Sequence, residues 1–193
     1  MSVRRQNDCL VANGYAIVGD AAWMARPIDA VGISPAIHAG VILGKTISEA
    51  LEANDSSEES LWSYNVSYMR ERGYQMASFE LLRRYLQILS DEEINYGMRY
   101  FISEDDISSL TNREDPSFHR TRMSLSPTTW IRALKQPKLV RNLRYVANES
   151  KKLSDIILDF PESPTGFDEW RNRLHRDLAE AFDRFPIATA AAV

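Results

Sequence analysis

The sequence predicts a mainly α-helical fold with one or two short strands near its N-terminus. Three observations carry this. A single compact apolar run closed by a glycine, Tyr15–Val18, has the length and composition of a short buried strand. From Pro35 onward apolar residues recur at three- and four-residue spacing, the pattern of helices that bury one face. Helix-start signals stand where those patterns begin, at Ser34-Pro35 and at Ser90-Asp91-Glu92-Glu93. The chain divides at residue 53: residues 1–53 form a strand–turn–helix segment, and residues 54–193 form a helical domain.

Residues 2–13 read as an edge strand that ends in the turn dipeptide Asn13-Gly14. Tyr15–Val18 follows as a buried strand, and Gly19-Asp20 as a turn. Residues 23–31, with Pro27 and Asp29, are expected to form an irregular loop. Ser34 suits an N-cap and Pro35 the first helical position, where its missing N–H costs nothing, so a helix is expected from Pro35 to about Ala53. Ala36, Gly40 and Gly44 share one face of it. Glycine inside a helix costs roughly 1 kcal/mol against alanine, so this face suggests close approach by backbone or ligand.

Residues 54–59 are polar and acidic, a linker. Residues 60–89 are helical, with Trp62, Val66 and Met69 as one stripe and Phe79, Leu82, Leu86 and Leu89 as another. A straight helix from Glu58 to Leu89 would be about 48 Å long. A domain of this size is only about 42 Å across, so a kink or break near Gly73 is expected. The capping box at Ser90–Glu93 opens a short helix through about Phe101, and Ser103–Asp106 can open another turn. Residues 111–128 are irregular. Residues 129–136, 137–158 and 167–185 are the last helices, the final one with the core stripe Phe167, Trp170, Leu174, Leu178 and Phe182. The alanine-rich tail is expected to fray.

Composition narrows the function classes. The chain has 193 residues, 44% hydrophobic and 26% charged, with a net charge of -4, which argues against nucleic acid as a partner. A single cysteine, Cys9, excludes an internal disulfide and a cysteine-based zinc site, and fits a reducing cytoplasm. No apolar run is long enough to span a bilayer, and the first residues lack the apolar stretch of a signal peptide. His38, His119 and His175 are too far apart in sequence for a ligand set, so no metal site is expected. There is no nucleophile elbow, no Walker loop and no G-x-G-x-x-G, and Asp105-Asp106 reads as a solvated, helix-capping pair. No residue is singled out as catalytic.

That leaves Gly14–Leu51. A Gly-Asp turn at a strand end places a carboxylate beside a helix start. The carboxylate can accept hydrogen bonds from sugar or ribityl hydroxyls. The free N–H groups at the helix start suit an anion or a carbonyl gaining negative charge. On residue chemistry alone two readings stand: a ligand cradle, or an Asp20 that caps its own turn. The second is the commoner outcome.

The residues then carry a resemblance. VRR from Val3, VANGYAIVGDAA from Val11, and P-x-x-x-x-G-I from Pro27 to Ile33 resemble the second flavin-binding segment of the geranylgeranyl reductase family. Gly19, Asp20, Ala21 and Ala22 match its G-D-A-A, and Pro27, Gly32 and Ile33 match the segment before its helix; Ala30 stands where the family has its first glycine. LWSYNVSYMRERG and LLRRYLQILSDEEINYGM resemble the helical segment that follows. The resemblance covers the first half of the chain well and is only compatible beyond Arg113. It implies FAD as cofactor, a p-hydroxybenzoate hydroxylase-like fold, and reduction of isolated double bonds in geranylgeranyl chains of isoprenoid lipids. The implied cofactor-binding residues are Gly19, Asp20, Ala21, Pro27, Gly32 and Ile33. Asp20 would meet the ribityl-pyrophosphate part of FAD, and the Gly32 and Ile33 amides would face the pyrimidine edge of the ring.

The family begins with a Rossmann strand and its glycine-rich turn, and neither motif is present in these residues. The chain therefore reads as the C-terminal fragment of an α/β (Rossmann-type) FAD-dependent oxidoreductase, with weak FAD binding and no activity expected without the N-terminal Rossmann part. An alternative of another class is a non-catalytic helical interaction module that pairs with a separate N-terminal half or another protein. Lys135, Lys138, Arg141, Arg144, Lys151 and Lys152, beside Leu134, Leu139, Val140, Leu143 and Val146, form a basic amphipathic helix, so peripheral membrane contact of a cytoplasmic protein is a further expectation.

Overall fold

The computed structural model describes residues 4–100 and 136–186. Among them, two short strands, β1 (Val11–Ala12) and β2 (Tyr15–Ala16), pair antiparallel, with Val11 opposite Ala16 and Ala12 opposite Tyr15. Asn13-Gly14 makes the hairpin turn, with Gly14 at φ 68°, a conformation that glycine adopts without penalty. The turn is tied to the helical part: the Gly14 amide donates to the Ser56 carbonyl (2.7 Å) and the Glu58 amide to Asn13 Oδ1 (2.8 Å).

The expected buried strand at Tyr15–Val18 is corrected here. Pairing ends at Ala16, and Tyr15 and Val18 are exposed. Only β1 flanks β2, so among the described residues no layer covers its outer side. A turn of 3-10 helix, Gly19–Ala22, follows, and then a loop to Gly32.

Helix α1 spans Ile33–Glu52, starting two residues before the expected Pro35. Its N-cap is Gly32, not Ser34, and no side chain caps it. Pro35 sits in the first turn, where its missing N–H breaks no intrahelical bond. Helix α2 spans Glu58–Tyr68 and is capped by Ser57, whose hydroxyl accepts from the Ser60 amide (3.2 Å). Residues 69–73 form a π-helical turn, and α3 runs from Tyr74 to Gln87. The expected kink or break near Gly73 takes the form of a widened turn that ends at Gly73, and the chain stays helical through it.

Helix α4, Asp91–Tyr100, opens with the expected capping box: Ser90 Oγ accepts from the Glu93 amide (3.2 Å) and Glu93 Oε2 from the Ser90 amide (3.0 Å). Helices α5 (Pro137–Leu158) and α6 (Phe167–Asp183) complete the described part. The expected elements at 103–106, 111–128 and 129–135, and the tail beyond 186, lie outside the described residues.

The core is one cluster that draws on every layer: Leu10, Val11, Ala22 and Met24 from the N-terminal segment, Ala39 and Leu43 from α1, then buried residues of α2, α3, α5 and α6. The stripe Trp62, Val66 and Met69, on α2 and the π turn that follows it, is buried as its spacing predicts. On α6, Trp170, Leu174 and Leu178 are buried, with Phe167 and Phe182 packed against them. Trp62, Phe160, Phe167 and Trp170 form an aromatic knot, with Phe160 and Trp170 centroids 4.6 Å apart. Both buried indoles find acceptors, Trp62 on the Pro161 carbonyl (2.8 Å) and Trp170 on the Ile156 carbonyl (2.7 Å). Asn65 accepts from the Leu10 amide (2.8 Å), which pins the N-terminal segment to α2.

Candidate functional site

The site is built where the 3-10 turn meets the start of α1. Gly19 takes φ 67°, and a β-carbon placed on it would stand 3.5 Å from the Ala36 Cβ, so the turn lies against the first turns of the helix. Asp20 is exposed, and its carboxylate makes no hydrogen bond or ion pair among the described residues. Asp20 therefore does not cap its own turn; only its carbonyl is used, by the Trp23 amide (3.1 Å).

The loop between turn and helix is held by its own bonds. Arg26 pairs with Asp29, the Ala30 amide donates to the Arg26 carbonyl (2.9 Å), and the Arg26 amide to the Val31 carbonyl (3.0 Å). Asp29 also accepts from the Val31 amide (3.2 Å). Pro27 is buried beneath the loop, while Ala21 and Ile33 are exposed and Gly32 is half-buried at the helix cap. Ala30 takes φ 58°, the left-handed region that favours glycine. The amides of Gly32, Ile33 and Ser34 find no acceptor among the described residues. One exposed face thus brings together an unpaired carboxylate and a helix N-terminus with open donors. Of the six residues expected to meet a cofactor, Asp20, Ala21 and Ile33 are exposed, Gly19 and Gly32 are half-buried, and Pro27 is buried.

The stripped helix face behaves otherwise than expected within this chain. Gly40 and Gly44 are exposed, and among the described residues nothing approaches within 4 Å of where their β-carbons would be. Ile33, Ile37, Val41 and Leu51 on α1 are 64% to 79% exposed.

Below the loop lies a cleft of about 260 Å³, lined by loop residues Arg26, Asp29 and Val31, by Ser34 and Pro35 of α1, and by Tyr68, Arg72, Gln75, Met76 and Phe79. Sequence reasoning missed its far wall. Tyr68, Arg72, Gln75, Met76 and Phe79 recur at helical spacing, which groups them on one side of a helix but does not mark a cleft. Tyr68 is fully buried and its hydroxyl has no partner among the described residues. Burial holds that hydroxyl well above the usual tyrosine range, Tyr64 adds to the effect, and the Arg72 charge opposes it.

The histidines serve as ties. His38 meets Glu71 of the π turn (2.8 Å), and His175 meets Asp8 (2.6 Å). His119 and Asp105-Asp106 lie outside the described residues. Among the described residues no group of three histidine, cysteine or acidic side chains could hold a metal ion, and no helix is long and apolar enough to cross a membrane. On α5 the apolar residues Leu139, Val140 and Val146 are buried in the core, and Lys138, Arg141, Arg144 and Lys151 face outward.

No protein-family model matches the chain. Curated relatives do. The chain is 32% identical, over 92% of its length, to the digeranylgeranylglycerophospholipid reductase of Sulfolobus acidocaldarius. It is 35% identical over 49% of its length to that of Methanothrix thermoacetophila, and 36% identical over 53% to that of Methanococcus aeolicus. It spans 39%, 24% and 27% of those three proteins, well under half of each. Related along nearly all of its length to proteins of this kind, the chain belongs to the geranylgeranyl reductase family.

Proposed function

We propose that this chain is the C-terminal portion of an FAD-dependent reductase of geranylgeranyl double bonds, acting on isoprenoid lipid. Residues 1–53 supply one side of the flavin site and residues 54–193 the helical domain behind it. The observation that carries the reading is the exposed face where the unpaired Asp20 carboxylate stands beside the open amides of Gly32, Ile33 and Ser34. FAD, when bound, supplies the electrons that reduce the double bond. The chain's own contribution is recognition. Asp20 accepts hydrogen bonds from ribityl hydroxyls, and the Gly32 and Ile33 amides, with the positive end of α1, favour negative charge on the ring's pyrimidine edge. Gly19, Ala21 and Pro27 keep the approach narrow and the loop in place. Ala30 fits this role because its backbone takes the left-handed conformation that favours glycine.

These 193 residues contain no G-x-G-x-x-G to hold the ADP half, so the isolated chain binds FAD weakly and turns over no substrate. Titration of purified chain with FAD, read by flavin fluorescence, tests this. Weak saturable binding that Asp20→Asn reduces further supports the proposal. A protein that purifies with stoichiometric flavin overturns the incomplete-site part, and binding indifferent to Asp20→Asn overturns the assigned contact.

A second reading is favoured by one observation, the exposed apolar row Ile33, Ile37, Val41 and Leu51 with the bare Gly40 and Gly44 beside it. In this reading the chain is a non-catalytic helical module whose α1 face docks on a separate N-terminal half or another protein. Size-exclusion chromatography of the parent and of Val41→Lys separates the two. Concentration-dependent association lost in Val41→Lys supports docking; a monomer at all concentrations counts against it. The outward basic residues of α5 would let the same cytoplasmic protein touch anionic lipid peripherally. Co-sedimentation with anionic vesicles checks this, and protein left in the supernatant removes it.

A further inference from the structure

We propose that residues 4–8 form a strap that fixes the Gly19–Ala22 turn to the helical domain, with Glu80 as the positioning residue that anchors the strap. Residues 5, 6 and 8 bond to the helices, and residues 4 and 7 meet the turn and its end.

Glu80 lies on α3, with arginines three and four residues on, the pattern of a solvated helix face. Its carboxylate is inside instead, with the residue only 4% exposed. Oε1 accepts from Arg83 (3.1 Å) and Arg84 (3.3 Å), and Oε2 accepts from the Arg5 backbone amide (2.7 Å). A buried carboxylate is tolerated only when it is paired and its oxygens are hydrogen-bonded. Helix α3 satisfies one oxygen by itself, and the strap satisfies the other. A strap that lifted or slipped would leave Oε2 bare where water does not reach, so Glu80 fixes its register. Two further ties follow. Gln6, buried, donates to the carbonyl of Gly73 at the end of the π turn (3.3 Å). Asp8 meets His175 of α6 (2.6 Å) through one oxygen and the Arg5 guanidinium through the other.

On its other side the strap holds the turn. The Asn7 amide donates to the Ala22 carbonyl (3.1 Å), and the Arg4 guanidinium lies over the ring of Trp23, which ends the turn (3.0 Å to the centroid). The other bonds of residues 19–24 stay inside the turn: the Trp23 amide donates to the Asp20 carbonyl, the Met24 amide to the Gly19 carbonyl, and the Gly19 amide to the Met24 sulfur. Among the described residues, the Asn7 bond is thus the one hydrogen bond that joins residues 19–24 to another segment. The turn rests on α1 where Gly19 lies against Ala36, and the strap sets its orientation from the opposite end. The direction of the Asp20 carboxylate is set with it. That Asp20 faces a flavin rests on the function proposed above; that the strap holds the turn does not.

Hydrogen exchange of the full chain, followed amide by amide by NMR, tests the strap. In Glu80→Ala the Asn7, Trp23 and Met24 amides exchange about tenfold faster relative to those of α5, the loss of a charge-assisted hydrogen bond opening the strap locally. Glu80→Gln, which keeps the size and one acceptor oxygen and so spares the fold, gives a smaller rise at the same three amides. Asp8→Ala, which removes the tie to α6, also raises them. Ser57→Ala removes the cap of α2 and lowers overall stability without touching the strap, so it leaves the ratio unchanged. An unchanged ratio in the Glu80 variants that fold, or the same selective rise in Ser57→Ala, overturns the proposal. Titration with FAD then reads the consequence for the site: Glu80→Ala binds it several-fold more weakly than the parent, and Ser57→Ala binds it equally well. Equal affinity in Glu80→Ala beside a loosened turn overturns the positioning role. A parent that binds no FAD counts against the proposed function, and the exchange ratio still decides the strap.

Discussion

Two residues of the site loop make opposite use of the same backbone region. Gly19 at φ 67° and Ala30 at φ 58° are both left-handed. A side chain there costs about 1–2 kcal/mol, while glycine costs about 0.5–1 kcal/mol in chain entropy. Ala30→Gly should therefore stabilise the protein by about 0.5 kcal/mol. Gly19→Ala should destabilise it by about 1 kcal/mol, from conformation alone, since its new β-carbon meets Ala36 at an ordinary 3.5 Å. Urea unfolding midpoints of the two variants check both signs; the same sign for both would refute the conformational argument. At this scale the sequence was legible where chemistry depends on residue type and order. The Gly-Asp turn and the loop lie where the residues put them, and α1 starts two residues ahead of its expected start. Two things were not legible. Whether Asp20 bonds to its own turn depends on the rotamer and on which way the turn faces. Tyr68 and Arg72 looked like ordinary members of a long helix, because a π turn leaves no clear mark in the spacing.

The π turn matters most among the elements. A helix from Glu58 to Gln87 with regular spacing would have aimed Arg72 elsewhere, and length arguments located the irregularity near Gly73 without saying what kind it is. Gly73 has ordinary helical angles, so its glycine is required by space. A β-carbon there would lie 2.8 Å from both Gln6 Nε2 and Met69 Sδ. Those two atoms are themselves in contact (3.1 Å), and Gln6 also donates to the Gly73 carbonyl (3.3 Å), so neither can move freely. Overpacking costs about 1–3 kcal/mol and alanine regains about 1 kcal/mol of helix propensity, which leaves Gly73→Ala destabilised by about 1 kcal/mol. Gln6→Ala removes one clashing group. The double variant should then be less destabilised than the sum of the two single changes, and strict additivity in denaturant melts would show that the contact does not matter. The capping box of α4 and the bounds of α5 were readable because local side chain–backbone bonds and a proline decide them. The α1 cap was not, because backbone geometry at Gly32 took the place that a serine side chain could have filled.

Across the whole molecule, one apolar core joins the N-terminal segment to the helices, and its buried tyrosines govern how the fold responds to alkali. Periodicity made most of that core legible; it could not say that the α1 row from Ile33 to Leu51 would stay exposed, because a helical stripe looks the same whether its partner is in the chain or not. Tyr64 donates to the Ile17 carbonyl (3.0 Å) and so ties the segment after β2 to α2. Tyr85 donates to the Leu139 carbonyl (3.3 Å) and ties α3 to α5. Burial pushes the Tyr85 hydroxyl up to about 12, with Glu93 adding to the effect, and holds Tyr64 and Tyr68 above their usual value of 10.0. A hydroxyl with a raised folded pKa is still protonated when the unfolded chain has already lost its proton. The folded state then binds more protons, so stability falls as pH rises. The contribution is complete below pH 10.0, the ordinary tyrosine value, and is lost as pH climbs through the raised ones. Lys152, held above its ordinary value by its hydrogen bond to Asp177, works in the same direction. Thermal unfolding followed from about pH 8 to 12 should show a flat region and then a steady fall that begins near the ordinary tyrosine value. Tyr68→Phe and Tyr85→Phe should each make that fall shallower, Tyr85→Phe at the further cost of its bond to Leu139. A melting temperature independent of pH across this range, or the same slope in both variants as in the parent, would mean that these hydroxyls ionise as freely in the folded chain as in the unfolded one.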